Sequence, residues 1–166
     1  MRTLWRAILV ATALALAGCG FHLREQAQLP ASLARLHIEI ADPGNLLYRD
    51  LPDALTRAGA KVEDAAGSGI ATLRIPVSSL APEALSVGAS ARVREYTMRY
   101  KVEIEAVDAD GKAVLPRQSI ELSRDYTFDE TQVLGVAAQE DELRKQLQRD
   151  MVQAILRRLA ALGRAN

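Results

Sequence analysis

The strongest constraint on the fold is a run of residues, 95–106, in which polar and apolar side chains alternate without a break. Because successive side chains of a β-strand point to opposite faces, this run predicts a strand with one buried face. Asp108-Ala109-Asp110-Gly111 predicts a hairpin turn, with the chain returning near residues 120–128. The other face must be polar, so it meets water or a hydrophilic partner. The buried face is expected to carry Tyr96, Met98, Tyr100, Val102, Ile104 and Ala106, and the polar face Glu95, Thr97, Arg99, Lys101, Glu103 and Glu105.

Two further strands are predicted on the amino-terminal side of this hairpin. Arg35–Ile40 alternates, with Leu36, Ile38 and Ile40 on one side. A second alternating segment covers residues 72–77, where Pro76 favours an edge strand because proline cannot donate to a ladder. Residues 80–91 are small and predict a loop. Lys61–Glu63 is a candidate for an additional short strand.

Two helices are predicted from apolar residues at helical spacing. The first follows Asn45, a suitable N-cap, and Gly59 is placed to end it. Pro52 requires either a kink in this helix or a start at Asp50. The second helix is predicted over about residues 138–162, with Glu140-Asp141-Glu142 at its positive end. Its apolar stripe is Leu143, Leu147, Met151, Ile155, Leu159 and Leu162.

These elements predict an α+β fold in which two helices pack on one face of a four-stranded, largely antiparallel sheet, in the order β-α-β-β-β-α. No repeat or long linker divides the mature chain. The predicted organisation is a signal peptide at residues 1–18, a lipidated tether at 19–34 and a single domain at 35–166.

The amino terminus has the composition of a secretory signal peptide. Arg2 and Arg6 form a short basic region, and an apolar stretch follows at residues 7–17. That stretch is shorter than the roughly 20 residues a membrane-spanning helix needs. Ala15-Leu16-Ala17 fits ordinary signal peptidase, whereas Leu16-Ala17-Gly18-Cys19 fits the bacterial lipobox. The lipobox interpretation is favoured because Cys19 is the chain's one cysteine and lies where acylation requires it.

Composition excludes several classes of function. The 21 basic and 21 acidic residues balance, which argues against a nucleic-acid groove built on bulk charge. One cysteine excludes an internal disulfide framework and a cysteine zinc cage. No catalytic motif is present, and His22 and His37 have no companion ligand motif, so neither an enzyme, a cofactor nor a metal is expected.

Arginine is strongly favoured over lysine in the mature chain, with 15 arginines against four lysines. A GC-rich genome would account for much of this bias. A local cluster of Arg92, Arg94, Arg99 and Lys101 stands out, because guanidinium groups bind phosphate in a bidentate manner. Arg92 and Arg94 have the same parity as Tyr96, so in a regular strand they would point toward the core. Either a bulge therefore resets the register, or the end of the strand protrudes into a basic loop.

The chain resembles the LPS-assembly lipoprotein family, LptE. The lipobox followed by Gly20-Phe21-His22-Leu23-Arg24 is similar to that family's junction, and Glu95-Tyr96-Thr97-Met98 is similar to its E-Y-x-M motif. Ser123-Arg124-Asp125-Tyr126 and the last helix also fall where the family has them. The resemblance covers nearly the whole mature chain.

The resemblance implies an outer-membrane lipoprotein on the periplasmic side, carrying N-palmitoyl and S-diacylglycerol groups on Cys19. Gly20 at the second mature position favours the outer membrane by the sorting rule of Gram-negative lipoproteins. The resemblance further implies a one-to-one complex in which the protein plugs the LptD barrel and contacts lipopolysaccharide. The candidate residues for that contact are Arg92, Arg94 and Arg99. The alternative is a stand-alone, lipid-anchored periplasmic binding protein for anionic glycolipid.

Overall fold

The computed structural model describes residues 29–42, 44–87, 93–128 and 133–163. In these ranges the chain forms a one-turn 3₁₀ helix, five strands and two α-helices. In chain order they are the 3₁₀ helix Ala31–Leu33, β1 Arg35–Ile40, α1 Leu47–Arg57, β2 Lys61–Glu63, β3 Ala71–Val87, β4 Val93–Val107, β5 Ala113–Thr127 and α2 Val133–Leu162.

The strands form one mixed sheet in the order β2-β1-β3-β4-β5. The predicted α+β class is confirmed, but the sheet has five strands and not four, because Lys61–Glu63 pairs with β1. The parallel pairings of β1 with β2 and β3 also correct the prediction of a largely antiparallel sheet. They arise because α1 returns the chain before β2, as a parallel pairing requires. The remaining pairings, β3 with β4 and β4 with β5, are antiparallel.

The third strand is longer and more central than its sequence predicts. Residues 80–87, expected to form a loop, extend β3, and Ala84 pairs with Tyr96 of β4. Pro76 was expected on an edge strand, yet β3 lies between β1 and β4. A shift in the β3–β4 register between Arg74 and Val77 resolves the conflict, since proline is tolerated at a bulge where no ladder hydrogen bond is needed.

The ends of α1 follow from local chemistry. The Asn45 side-chain oxygen accepts a hydrogen bond from the backbone N–H of Leu47 at 3.0 Å. The helix begins there, so the alternative start at Asp50 is wrong and Pro52 lies within the helix. At the other end Gly59 adopts φ +94°. The N–H of Ala60 donates to the Leu55 carbonyl at 3.1 Å, which is the bonding of a glycine-terminated helix.

The second helix buries the predicted stripe but begins five residues earlier, at Val133 instead of Ala138. Glu140-Asp141-Glu142 therefore lies inside the helix, and the first turn carries no acidic residue. The predicted interaction of these carboxylates with the helix dipole is consequently wrong. They contact basic residues one or two turns later, as in the 2.6 Å ion pair between Asp141 and Lys145 and the 3.3 Å pair between Glu142 and Arg149.

The hydrophobic core lies between the helices and one face of the sheet. Leu47, Leu51 and Leu55 of α1 are fully buried, and so are Leu147, Met151 and Ile155 of α2. The sheet contributes the even-numbered side of β4, from Met98 to Ala106, as the alternation predicts. Leu33 of the 3₁₀ helix is also fully buried, so residues 29–34 pack on the domain.

Candidate functional site

The predicted site residues are unevenly covered by the structure. Cys19 and Arg92 lie outside the described residues. Arg94 falls within β4, beside a register shift between β3 and β4, and its side chain is outside the described part. Arg99 is described and lies on the sheet face opposite the helices. We call that face, which carries Arg74, Arg99, Glu103, Arg117 and Glu121, the open face.

Arg99 is held between two carboxylates on neighbouring strands. Its Nε donates to Glu83 of β3 at 2.8 Å, and its Nη1 donates to Glu121 of β5. The hydrogen bond that Arg99 donates to Glu83, followed by the one it donates to Glu121, raises the pKa of Arg99 above its ordinary value. An anion that binds Arg99 must therefore compete with two carboxylates already in place.

The same alternation of charge extends across the open face. Arg74 of β3 bridges Glu39 at 3.0 Å and Glu105 at 3.9 Å. Arg117 of β5 pairs with Glu103 at 2.6 Å, and this bond lowers the pKa of the glutamate. Cross-strand neighbours of opposite charge are the sheet equivalent of helical i,i+4 pairs. The open face is consequently polar but close to neutral.

An aromatic cluster lies at the end of the sheet from which β3 connects to β4. Tyr96 stacks on Tyr126 at a ring-centroid separation of 5.6 Å, and Phe128 meets Tyr96 edge to face at 5.9 Å. The Tyr126 hydroxyl donates to Glu140 of α2 at 2.6 Å. Burial first, and then the Glu140 carboxylate, raises the pKa of Tyr126. The contact depends on the β4–β5 register, in which Tyr96 pairs with Tyr126.

A polar groove of about 680 Å³ separates the outer sides of α1 and α2. Its floor includes the buried Gln148, whose side-chain nitrogen donates to the Leu46 carbonyl and to Asp50. The charges on its walls are mixed, with Arg49, Arg57, Lys145 and Arg149 facing Asp50 and Asp53. No local pattern in the sequence predicts this groove, since it joins residues about 100 positions apart.

Conventional active-site chemistry is not assembled in the described part of the chain. No three His, Cys, Asp or Glu residues there are grouped so as to hold a metal ion. His37 places its Nδ1 3.0 Å from the Glu63 carbonyl on a neighbouring strand, which is a structural contact. Within the same ranges, no helix is both long and apolar enough to cross a membrane.

The fold, with its two helices over one sheet face, and the cysteine-bearing leader together define a small α+β lipoprotein. The chain belongs to the LptE family, described as lipopolysaccharide-assembly, whose model matches residues 33–159. It is similar to the LPS-assembly lipoprotein LptE of Pectobacterium atrosepticum, with 28% identity over 148 residues that cover 89% of this chain and 79% of the relative. The corresponding protein of Photorhabdus laumondii is 25% identical over 90% of this chain and 81% of its own length.

Solved structures share the fold. The solution structure of lipoprotein B from Nitrosomonas europaea has a TM-score of 0.74 and 34% identity, covering 88% of this chain and 94% of that one. The crystal structure of rare lipoprotein B from Shewanella oneidensis has a TM-score of 0.65 and 26% identity, covering 76% of this chain and 94% of that one. The resemblance noted from the junction and strand motifs is thereby confirmed.

Proposed function

We propose that this protein is an outer-membrane lipoprotein, acylated at Cys19, that forms a one-to-one complex with the LptD barrel and plugs it. In that position it assists the transport and insertion of lipopolysaccharide at the cell surface without acting as an enzyme. The observation that carries the proposal is the family match across residues 33–159, downstream of a lipobox whose cysteine is the chain's only one.

The dimensions and polarity of the sheet support a plug. β4 has 15 residues, which at 3.4 Å per residue extends for about 50 Å. That length exceeds the apolar band of an outer-membrane barrel, which is about 25 Å tall. The open face is polar and its charges are internally paired, as suits a sheet placed against the polar lumen of such a barrel.

The test is affinity purification of the acylated protein from envelope membranes in mild detergent. We expect the LptD barrel to be recovered in near-stoichiometric amount. A Cys19→Ser variant, which cannot be acylated, is the matched control for the role of the anchor. Recovery of the acylated protein alone would contradict the proposal and favour the stand-alone glycolipid-binding alternative.

The proposed lipopolysaccharide contacts are Arg92, Arg94 and Arg99, the last only when a phosphate displaces Glu83 or Glu121. An Arg92→Glu/Arg94→Glu variant should bind lipopolysaccharide more weakly, and the difference should shrink as salt screens the charges. An Arg74→Glu/Arg117→Glu variant makes the same charge change on the open face and should bind like the parent. Equal binding of lipopolysaccharide by the parent and both variants would exclude Arg92 and Arg94 as contacts.

A further inference from the structure

Basic side chains in the described ranges divide into a large ion-paired set and a small free set. The ion-paired set covers the sheet and the middle of α2, as with Arg74, Arg117 and Arg124. Within the part that the structure describes, Arg57, Lys112, Arg157 and Arg158 form no ion pair. These four residues come from three segments that are far apart in sequence, namely the two helices and a hairpin.

The four free cations lie at the end of the domain where the amino-terminal segment joins it, which we call the tether end. The two helices run in the same direction, since Leu46, just before α1, contacts Gln148 in the middle of α2, and Arg57, at the end of α1, lines a groove with Gln153 further along α2. Near their ends, a Cβ on Gly163 of α2 would lie 3.5 Å from Pro30. The N–H of Leu29 donates to the Ala58 carbonyl just past α1. The helix ends and the segment that leads to Cys19 therefore meet.

Three of these cations share the helical side of the tether end. Arg57 lines the interhelical groove together with Gln153 of α2, and Arg157 follows Gln153 by one helical turn on the same side. Arg57, Arg157 and Arg158 are all exposed. Asp53, one turn back in α1, lines the same groove as Arg57 and is exposed. Lys112 lies apart, in the hairpin turn with Asp108 and Asp110.

The helix dipole does not account for this placement. A cation gains from the dipole within the last turn of a helix, a position that Arg57 occupies in α1. The last turn of α2 carries no basic residue, so Arg157 and Arg158 lie before it. Among the residues that the structure describes, these two arginines have no carboxylate partner, and they lie outside the last turn of the helix.

The distance to the proposed lipid anchor is short. Leu29 follows Cys19 by ten positions, and a fully extended chain covers at most about 3.3–3.6 Å per residue. The tether end therefore lies within about 35 Å of the bilayer surface once Cys19 is acylated. The mature chain has 19 basic and 21 acidic residues, so attraction to an anionic surface must come from a local group.

We infer that the helical side of the tether end, through Arg57, Arg157 and Arg158, docks on the anionic phospholipid headgroups of the membrane that holds the acylated Cys19. Arginine suits this role because its planar guanidinium group binds phosphate oxygens in a bidentate manner. Docking at this end leaves the aromatic cluster, at the opposite end of the sheet, farthest from these headgroups. The inference rests on the proposed acylation at Cys19.

The test uses the full acylated protein and a single tryptophan probe. The mature chain has no tryptophan because Trp5 belongs to the signal peptide. Ala161→Trp places the probe on an exposed position of α2 at the tether end, and Leu85→Trp places it on an exposed position at the opposite end. Quenching by headgroup-labelled lipid is measured in phosphatidylcholine vesicles with and without phosphatidylglycerol, and flotation reports attachment.

We expect phosphatidylglycerol to increase quenching at Ala161→Trp but not at Leu85→Trp. An Arg57→Gln/Arg157→Gln/Arg158→Gln variant should lose the increase, with the apparent affinity of docking falling about fivefold for each arginine removed. An Arg74→Gln/Arg117→Gln/Arg124→Gln variant loses the same charge from ion-paired positions and should keep the increase. Thermal melts of both variants establish that each is folded.

The remaining outcomes separate this inference from the proposed function. Attachment to both vesicle types with no effect of phosphatidylglycerol would overturn the inference and leave acylation intact. Attachment only to vesicles with phosphatidylglycerol, dependent on the three arginines, would support the binding of these arginines to anionic headgroups but contradict anchoring through Cys19. Attachment to neither vesicle would overturn both. Competition by inorganic phosphate at constant ionic strength would identify a free phosphate ion as the ligand and overturn docking on the bilayer.

Discussion

At the scale of single residues, the closest polar contact between the sheet and α2 is the hydrogen bond from Tyr126 to Glu140. The tyrosine is buried and stacked on Tyr96, and its hydroxyl reaches the carboxylate at 2.6 Å. Hydrogen bonds to charged groups contribute about 1.5–3 kcal/mol. The Glu140 side chain is 29% exposed, which places this bond at the lower end of that range.

Tyr126→Phe should lower the free energy of unfolding by about 1–1.5 kcal/mol at neutral pH, because it removes this bond and keeps the ring. The measurement is urea denaturation followed by circular dichroism. Tyr96→Phe removes a hydroxyl from the same stack and is the matched control, with an expected change below about 0.5 kcal/mol. Equal losses in the two variants would show that the hydroxyl of Tyr126 has no special role.

The same bond predicts a dependence of stability on alkaline pH. Folding raises the pKa of Tyr126 above its ordinary value, so its contribution is complete below about pH 10, where unfolded tyrosine is neutral. Above that pH the unfolded state ionises first, and the stability of the parent protein falls. Between pH 10 and 11.5 the parent should therefore lose more stability than Tyr126→Phe. An equal loss of stability with rising pH in the two proteins would contradict the raised pKa of Tyr126.

At the scale of elements, several boundaries were set by contacts that local sequence does not reveal. β3 continues to Val87 because its partner β4 supplies a long ladder, although Pro76 and Pro82 argue against a strand. α2 begins at Val133, five residues before the start that its apolar stripe predicts. The hairpin turn is different, since Asp108 accepts hydrogen bonds from the N–H groups of Asp110 and Lys112, and it was predicted correctly.

The end of α1 allows a test of local geometry. Gly59 has φ +94° and an added Cβ would meet nothing within 4 Å, so any cost of a side chain is conformational. Gly59→Ala should destabilise the protein by about 1–2 kcal/mol, the cost of placing an L-residue in the left-handed region. Gly67→Ala, where φ is not positive, should change stability by less than about 0.5 kcal/mol. Chemical denaturation of the two variants measures the difference.

At the scale of the whole molecule, charge is arranged by face and by end. The open face holds its cations in cross-strand pairs, whereas the helical side of the tether end leaves Arg57, Arg157 and Arg158 free of ion pairs within the described residues. The chain as a whole has no net charge. Recognition of anionic lipid therefore depends on where the arginines lie and not on their number.

The paired open face predicts acid sensitivity. The hydrogen bond from Arg117 lowers the pKa of Glu103 below its ordinary value, so the stability it adds is present above about pH 4.3. That stability is lost as the pH falls through the folded value. Denaturant midpoints measured from pH 7 to pH 3 should fall less steeply for Glu103→Gln than for the parent. In an Arg117→Gln background the same change should have a smaller effect, and an unchanged effect would refute the pairing.

The sequence alone determined the alternating hairpin, the two apolar helix stripes, the α+β class and the cysteine that predicts a lipid anchor. These features are encoded in neighbouring residues, because strand and helix periodicity and the lipobox are local patterns. The tertiary structure decided the fifth strand, the central position of β3, the saturation of Arg99 by two carboxylates and the meeting of free arginines at the tether end. Each of these depends on strand order or on the relative direction of two helices, and contacts between residues so distant in sequence form only when the chain packs.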